Sequence, residues 1–299
     1  LGDQHDDGRF WTMDADGGNK QPLSFFKGQI SLTKHDGHYW HVYFETLDAT
    51  LPGGVHETQL RAIRDDGEMD HLLWYDEDMA YDEDAGPVCW MTDDAHISWV
   101  WWKISEDGTV SDQGVYKAEV VWDGVDPPSL GTPWKAYAVG TWHDDYLDTD
   151  RAAASCPNWS ADGSKLIYSD WNGGKVLVDF SSSTPEVTTY DYIGNHAISP
   201  DGTKMFIAAG GDNIVVMDID GGNSETIYSV EAKRNSDINF GWMYWSPDSN
   251  YIVFTQYVFH SQDLSFSGDI YTIGADGSDN SKLTKKTQTC DWFIPLAWR

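Results

Sequence analysis

Trp159-Ser-Ala-Asp-Gly163, Ile198-Ser-Pro-Asp-Gly202 and Trp245-Ser-Pro-Asp-Ser249 are three copies of one phrase. Each runs into a short apolar stretch: Lys165-Leu-Ile-Tyr-Ser169, Lys204-Met-Phe-Ile-Ala208 and Tyr251-Ile-Val-Phe-Thr255. Ser-Pro-Asp-Gly suits a type I turn, because proline sets φ to about −65° and glycine takes the left-handed position. The runs on either side are rich in β-formers, so each copy reads as a hairpin.

A second phrase follows the first. Ile214-Val-Val-Met-Asp-Ile-Asp-Gly-Gly222 and Asp269-Ile-Tyr-Thr-Ile-Gly-Ala-Asp-Gly277 read as strand, tight turn, strand. Arg9-Phe-Trp-Thr-Met-Asp-Ala-Asp-Gly-Gly18 repeats it near the start. One repeat is then two hairpins, or four antiparallel strands, which is a propeller blade. Weaker copies of the first phrase lie at Ile30-Ser-Leu-Thr-Lys-His-Asp-Gly37 and Cys89-Trp-Met-Thr-Asp-Asp94. They place turn aspartates at Asp36, Asp94, Asp162, Asp201 and Asp248.

The fold expected is all-β, a six-bladed β-propeller of four-stranded antiparallel blades in one domain over 1–299. The blades are expected near 27–80, 86–145, 155–192, 194–232 and 240–286, with a sixth shared between 291–299 and 1–26. Phe293-Ile-Pro-Leu-Ala-Trp298 would be that last blade's inner strand. A blade closed by N- and C-terminal strands leaves no open edge. The start is one strand short of this scheme, so a few N-terminal residues are expected to be missing. No charged-then-apolar leader opens the chain, so a leader is expected to have been removed or the start trimmed.

These phrases resemble the WD-like repeats of the TolB-like propeller family, strongly from about 155 to 299 and less so from 27 to 140. The resemblance implies a partner-binding scaffold.

Composition excludes several functions. Forty-nine acidic against 19 basic residues leave a net charge of −30, which repels nucleic acids and anionic membranes. No apolar run approaches the ~18 residues of a membrane helix. Three cysteines do not make a disulfide scaffold. Acidity and repeat type point to an extracellular or periplasmic protein. There is no Gly-x-Ser-x-Gly elbow and no Walker or Rossmann glycine loop.

In a blade, the loop leading into the first strand and the loop between the second and third share one side, where propellers bind ligands. Three sets of residues map there. The first is acidic: Asp76, Asp78, Asp82 and Asp84 precede blade two, and Asp144, Asp145, Asp148 and Asp150 precede blade three. Such oxygen-rich loops suit Ca²⁺, although a solvated acidic loop is the plainer reading. The Asp14-Ala-Asp16 and Asp218-Ile-Asp220 turns lack the EF-hand order of ligands and glycine, and read as hairpins.

The second set is Cys89, Cys156 and His196, each a few residues before its blade's turn. Cys and His together suit Zn²⁺ or copper; a disulfide and simple packing are the other readings. Cys290 lies a little further out. The third set is aromatic: Trp142 with His143, Trp171, Phe259 with His260, and Trp292. Flat rings beside carboxylates and amides hold sugars. The connection from Tyr257 to Asp269 is expected to overhang the channel. Trp159, Trp245, Trp99, Trp101 and Trp102 are expected to pack between blades.

The reading chosen is an exported, acidic binding module holding a carbohydrate or protein ligand on this side, with calcium as a structural or bridging ion. The alternative is a metal-assisted polysaccharide lyase or hydrolase. His196 before Ser199-Pro-Asp-Gly202 looks similar to a manganese-binding histidine of oligogalacturonate lyases, and His260 is the other catalytic candidate. His5, His56 and His143 also map to these loops. A structural or assembly subunit is the third reading. The sequon Asn158-Trp-Ser160 falls in an expected inner strand, where a glycan has no room.

Overall fold

The structure is a computed structural model and describes residues 9–12, 16, 18–19, 21–25, 31–47, 57–64, 66, 69–75, 83–85, 88–93, 95–104, 110–124, 127–138, 156–169, 174–190, 194–209, 213–230, 237–260 and 265–284. All its helix or strand elements are β-strands, and the class is all-β and propeller-like. The chain divides into two compact units, Leu1–Met13 with Asn19–Pro157, and Asp14–Gly18 with Asn158–Arg299.

In the first unit, β1 (Arg9–Thr12) and β2 (Gln21–Phe25) pair, among the described residues, with each other alone. The first blade runs in chain order through β3 (Ser31–His35), β4 (His38–Leu47), β5 (Glu57–Arg64) and β6 (Asp70–Tyr75). The next sheet has six strands. Both β7 (Glu83–Ala85) and β8 (Cys89–Trp90) pair with β9 (His96–Ile104). Both β11 (Ser129–Leu130) and β12 (Trp134–Ala138) pair with β10 (Val110–Val121). The nine-residue β9 and twelve-residue β10 are long enough for each edge to seat two short strands.

The second unit is three regular blades. They are β13 (Asn158–Trp159) to β16 (Glu186–Tyr190) by way of β14 (Lys165–Ser169) and β15 (Lys175–Asp179); then β17 (His196–Ile198), β18 (Lys204–Ala209), β19 (Asn213–Asp218) and β20 (Glu225–Ser229); then β21 (Asp237–Trp245), β22 (Tyr251–His260), β23 (Ser265–Gly274) and β24 (Ser281–Lys282). Each sheet follows chain order.

The blade count expected from the sequence is therefore corrected from six to five. Among the described residues, the N-terminal strands pair with each other as a two-stranded hairpin. The expected inner strand 293–298 lies outside the described residues.

The two units are packed with different materials. In the first, Trp40, Trp90, Trp99 and Trp101 are buried with Leu60 and Ile97, and Phe44, Trp74 and Trp122 lean on them. In the second, Ile167, Leu177, Met205 and Ile207 fill the space between its first two blades. Phe206, Ile214, Phe240, Trp245, Ile252 and Phe254 fill the space between its second and third. Trp159 and Trp245 are buried as expected, and the Trp245 indole donates to the carbonyl of Ala197 at 3.0 Å.

The repeated turn explains its own sequence. Ser160 Oγ donates to Asp162 Oδ1 at 2.7 Å and accepts from Lys165 N at 3.0 Å, while Asp162 accepts from Ser164 N at 2.9 Å. Ser199 with Asp201, and Ser246 with Asp248, repeat the pattern. These side chains satisfy backbone donors that a buried turn would leave bare. Gly163, Gly202 and Ser249 hold the left-handed position at φ of 69°, 70° and 61°. Blade two uses Asp93 where Asp94 was expected: Asp93 Oδ1 accepts from Ala95 N and His96 N, both at 3.0 Å. Met91 N donates to His96 O as Ser160 N donates to Lys165 O, so Met91 stands in the serine's place.

Candidate functional site

The site is centred on the first strand of the middle blade of the second unit. Strand β17 packs against β13 and β14 on one side and β21 on the other. Three local features pin its beginning. Gly194 has φ +136°, and a Cβ there would meet the Ala208 carbonyl oxygen at 2.1 Å, so only glycine fits. Ala208 N donates to Asn195 O at 2.8 Å. Asn195 Nδ2 donates to Gly241 O at 2.6 Å, tying the start of β17 to β21.

His196 opens β17 and is 8% exposed. Among the described residues neither buried ring nitrogen makes a hydrogen bond of good geometry, and the Gly194 backbone makes a weak one. An imidazole always carries at least one donor, and in its neutral form one acceptor, so beyond the weak Gly194 contact one polar group is left unmet. Burial holds its pKa down to about 3; the positive charge of Lys175 pushes the same way and the Gly194 backbone weakly opposes. The ring is therefore neutral at ordinary pH, able to donate from one nitrogen and accept or coordinate with the other.

Lys175 opens β15 on the same side of the neighbouring blade and is 2% exposed. Its Nζ donates to Ser169 Oγ at 2.8 Å across the β14–β15 pair. A buried lysine of this kind carries no motif. Its only sequence signal is a charge at the head of an apolar run, Lys175-Val-Leu-Val178.

Cys89 and Cys156 are joined as a disulfide, with Cα atoms 5.8 Å apart. The bond consumes both thiols, so the Cys89, Cys156 and His196 metal set is corrected: of the three, only His196 retains a ligating atom. In sequence, Cys89 follows one acidic run and Cys156 the other.

Of the remaining expected residues, Asp76, Asp78, Asp82, Asp144, Asp145, Asp148, Asp150, Trp142, His143, Trp171, Trp292, His5, His56 and Cys290 lie outside the described residues. Asp84 lies in β7, and Phe259 and His260 end β22; only their backbones are described. The connection expected to overhang from Tyr257 to Asp269 is instead mostly ladder. Phe259 pairs with Phe266 and His260 with Ser265, leaving 261–264 between the strands. Among the described residues, no three His, Cys, Asp or Glu side chains converge as a metal site. The Asp218–Asn223 turn is a hairpin as expected: Asp220 Oδ1 accepts from Gly222 N at 2.8 Å and Asp218 Oδ2 from Asn223 Nδ2 at 2.6 Å. Asn158 is engaged too, its Oδ1 accepting from Ile198 N at 2.7 Å.

Neither a family model nor a curated protein sequence matches the chain. Among solved structures, the chain is similar to apo AztD from Citrobacter koseri, at 9% identity and TM-score 0.49, over 95% of this chain and 94% of that one. It is similar to the periplasmic gluconolactonase PpgL of Pseudomonas aeruginosa, at 13% identity and TM-score 0.48, over 92% and 77%. It is also similar to an oligogalacturonate lyase in complex with manganese, at 12% identity and TM-score 0.44, over 86% and 74%. These are propeller-like proteins. None singles out the TolB-like group, and at these values they carry nothing about activity.

Proposed function

We propose that the protein is an exported propeller-type binding module that holds a carbohydrate or protein ligand on the side of its blades where the first strands begin. The observation that carries this reading is His196: a neutral imidazole, pinned by its backbone and buried, with the Gly194 backbone as its one weak hydrogen-bond partner among the described residues. Such a group costs about 1–3 kcal/mol for each unmet polar atom. A ligand hydroxyl or carbonyl that met them would recover that energy. Export is supported by the acidity and by the Cys89–Cys156 disulfide, since disulfides persist in oxidising compartments. No helix among the described residues is long and apolar enough to cross a membrane.

The acidic runs 76–84 and 144–150 supply the oxygen ligands for calcium in this reading. A melting series with calcium and with EDTA tests it: a rise with calcium that chelation reverses is expected, and identical curves would remove the ion from the account.

A metal-assisted lyase or hydrolase is the second reading, because a neutral imidazole with a bare nitrogen is also a metal ligand. The two separate by assay. A binding module retains glycans unchanged, whereas a lyase releases unsaturated, ultraviolet-absorbing products only when metal is added.

A further inference from the structure

Six strands form the outer edges of the five blades, and five of them are blunted. The pairing of β6, β12 and β20 with their neighbours is broken by a register shift in each case. The other two, β11 and β24, are only two residues long. Shifts and short length are the means by which sheets avoid pairing edge to edge.

Strand β16 has neither. Its five residues pair with β15 in unbroken register, from Asp179 opposite Glu186 to Lys175 opposite Tyr190. Residues 181–189 are all exposed, and Val187 is 50% exposed. The strand reads Glu186-Val-Thr-Thr-Tyr190, with four of five residues strong β-formers and no lysine or proline inside. Positions 181–190 carry a single charge, Glu186, in a chain whose net charge is −30.

From this we infer that β16 is a self-association edge, where a second copy of the chain adds its own β16 antiparallel to the first. An antiparallel pair centred on Thr188 is self-complementary. It sets Thr188 opposite Thr188, Val187 opposite Thr189 and Glu186 opposite Tyr190. Threonine pairs and β-branched pairs stabilise a ladder, and no like charges meet. The two-fold contact is closed, so it stops at a dimer. A ladder of five residues is small, so association is weak and concentration-dependent, and added salt strengthens it by screening the two acidic chains.

The test is the mass of the full chain by light scattering over a concentration series, at low and at high salt. The wild type is expected to rise from 33.6 kDa towards twice that mass, and further at high salt. Thr188→Lys places two ammonium groups face to face and is expected to return the protein to monomer, although it lowers the net negative charge. Thr226→Lys, on the shifted and exposed edge β20, is expected to leave dimerisation intact. Hydrogen exchange supplies a second readout: backbone amides of 186–190 become protected as concentration rises. A monomer at every concentration overturns the inference and leaves this edge to a foreign extended peptide. A dimer indifferent to Thr188→Lys overturns it as well.

Discussion

The two units of this chain build blades from the same topology with different chemistry. The second repeats one solution: a serine and an aspartate two residues apart close each first turn, and aliphatic strands fill the gaps between blades. The first has no such serine. Blade one turns on Asp36 and Gly37, both at positive φ, in a two-residue hairpin between His35 and His38. Blade two relies on Asp93 alone. Indoles take the place of the aliphatic core, and a disulfide spans 67 residues. Regular repetition lets small, identical hydrogen-bond sets do the work. Where the repeat erodes, large aromatic surfaces and a covalent tie substitute for them.

If that contrast is right, removing the tie has the largest effect. Closing a 67-residue loop removes unfolded-state entropy equivalent to about 4 kcal/mol. Reduction, or Cys89→Ser with Cys156→Ser, is expected to lower the calorimetric melting of the first unit by that order. An unchanged thermogram would mean the aromatic core suffices alone.

The next effect is on pH. The folded pKa of His196 is about 3, well below its ordinary value of about 6.5. Between those values the unfolded state binds the proton and the folded state does not. The stability this group supports is complete above pH 6.5 and is lost as pH falls towards 3, by the order of a few kcal/mol. Denaturant titrations at several pH values should show the slope, and His196→Gln should flatten it. An equal slope in the variant would assign the acid lability elsewhere.

Smaller still is the loss from a single turn. Ser199→Ala removes the donor to Asp201 and the acceptor for Lys204 N, an expected cost of about 1–3 kcal/mol by equilibrium unfolding. The acid limb of that turn chemistry is already visible at Asp162. Ser160 and the Ser164 amide lower its pKa to about 2, so its contribution is present above about pH 4 and disappears as pH falls to 2. Met91→Ser in blade two asks the converse. Giving that turn the missing hydroxyl is expected to raise the melting temperature, and a fall would show that Met91, which is 4% exposed, matters more as core. Ser249→Gly is expected to change stability by less than about 1 kcal/mol. Relief of its positive φ is offset by loss of the bond it accepts from Asp201 N.

The same contrast explains what could be read from the sequence. In 155–284 the Ser-x-Asp turns and the Asp-Gly turns at 220–221 and 276–277 announce the hairpins, because particular side chains hold them. In the first unit the turn at 91–96 lacks the serine, and its aspartate sits one place earlier than the phrase implied. The doubled edge strands of the second blade follow from the length of β9 and β10, which no motif marks. The sixth blade rested on two chain ends complementing each other; the N-terminal hairpin its phrase implied is present, Arg9–Thr12 with Gln21–Phe25, but the blades number five. At the site, His196 was legible from its offset before the turn. Lys175 was not, because nothing about a lysine at the head of a strand says that it will be buried. The disulfide was one of three open readings for Cys89 and Cys156, since spacing alone cannot pair cysteines.

The central claim is that His196 awaits a ligand, and the most direct measurement is a glycan array probed with the wild type and with His196→Gln at matched fold stability. The wild type is expected to retain a defined set of glycans and the variant to lose them by tenfold or more in affinity, while its melting curve at neutral pH stays cooperative. Equal binding by both proteins would contradict it. So would a wild type that retains nothing while His196→Gln or His196→Leu only raises the melting temperature, for then the buried imidazole is a packing residue and the ligand site lies elsewhere.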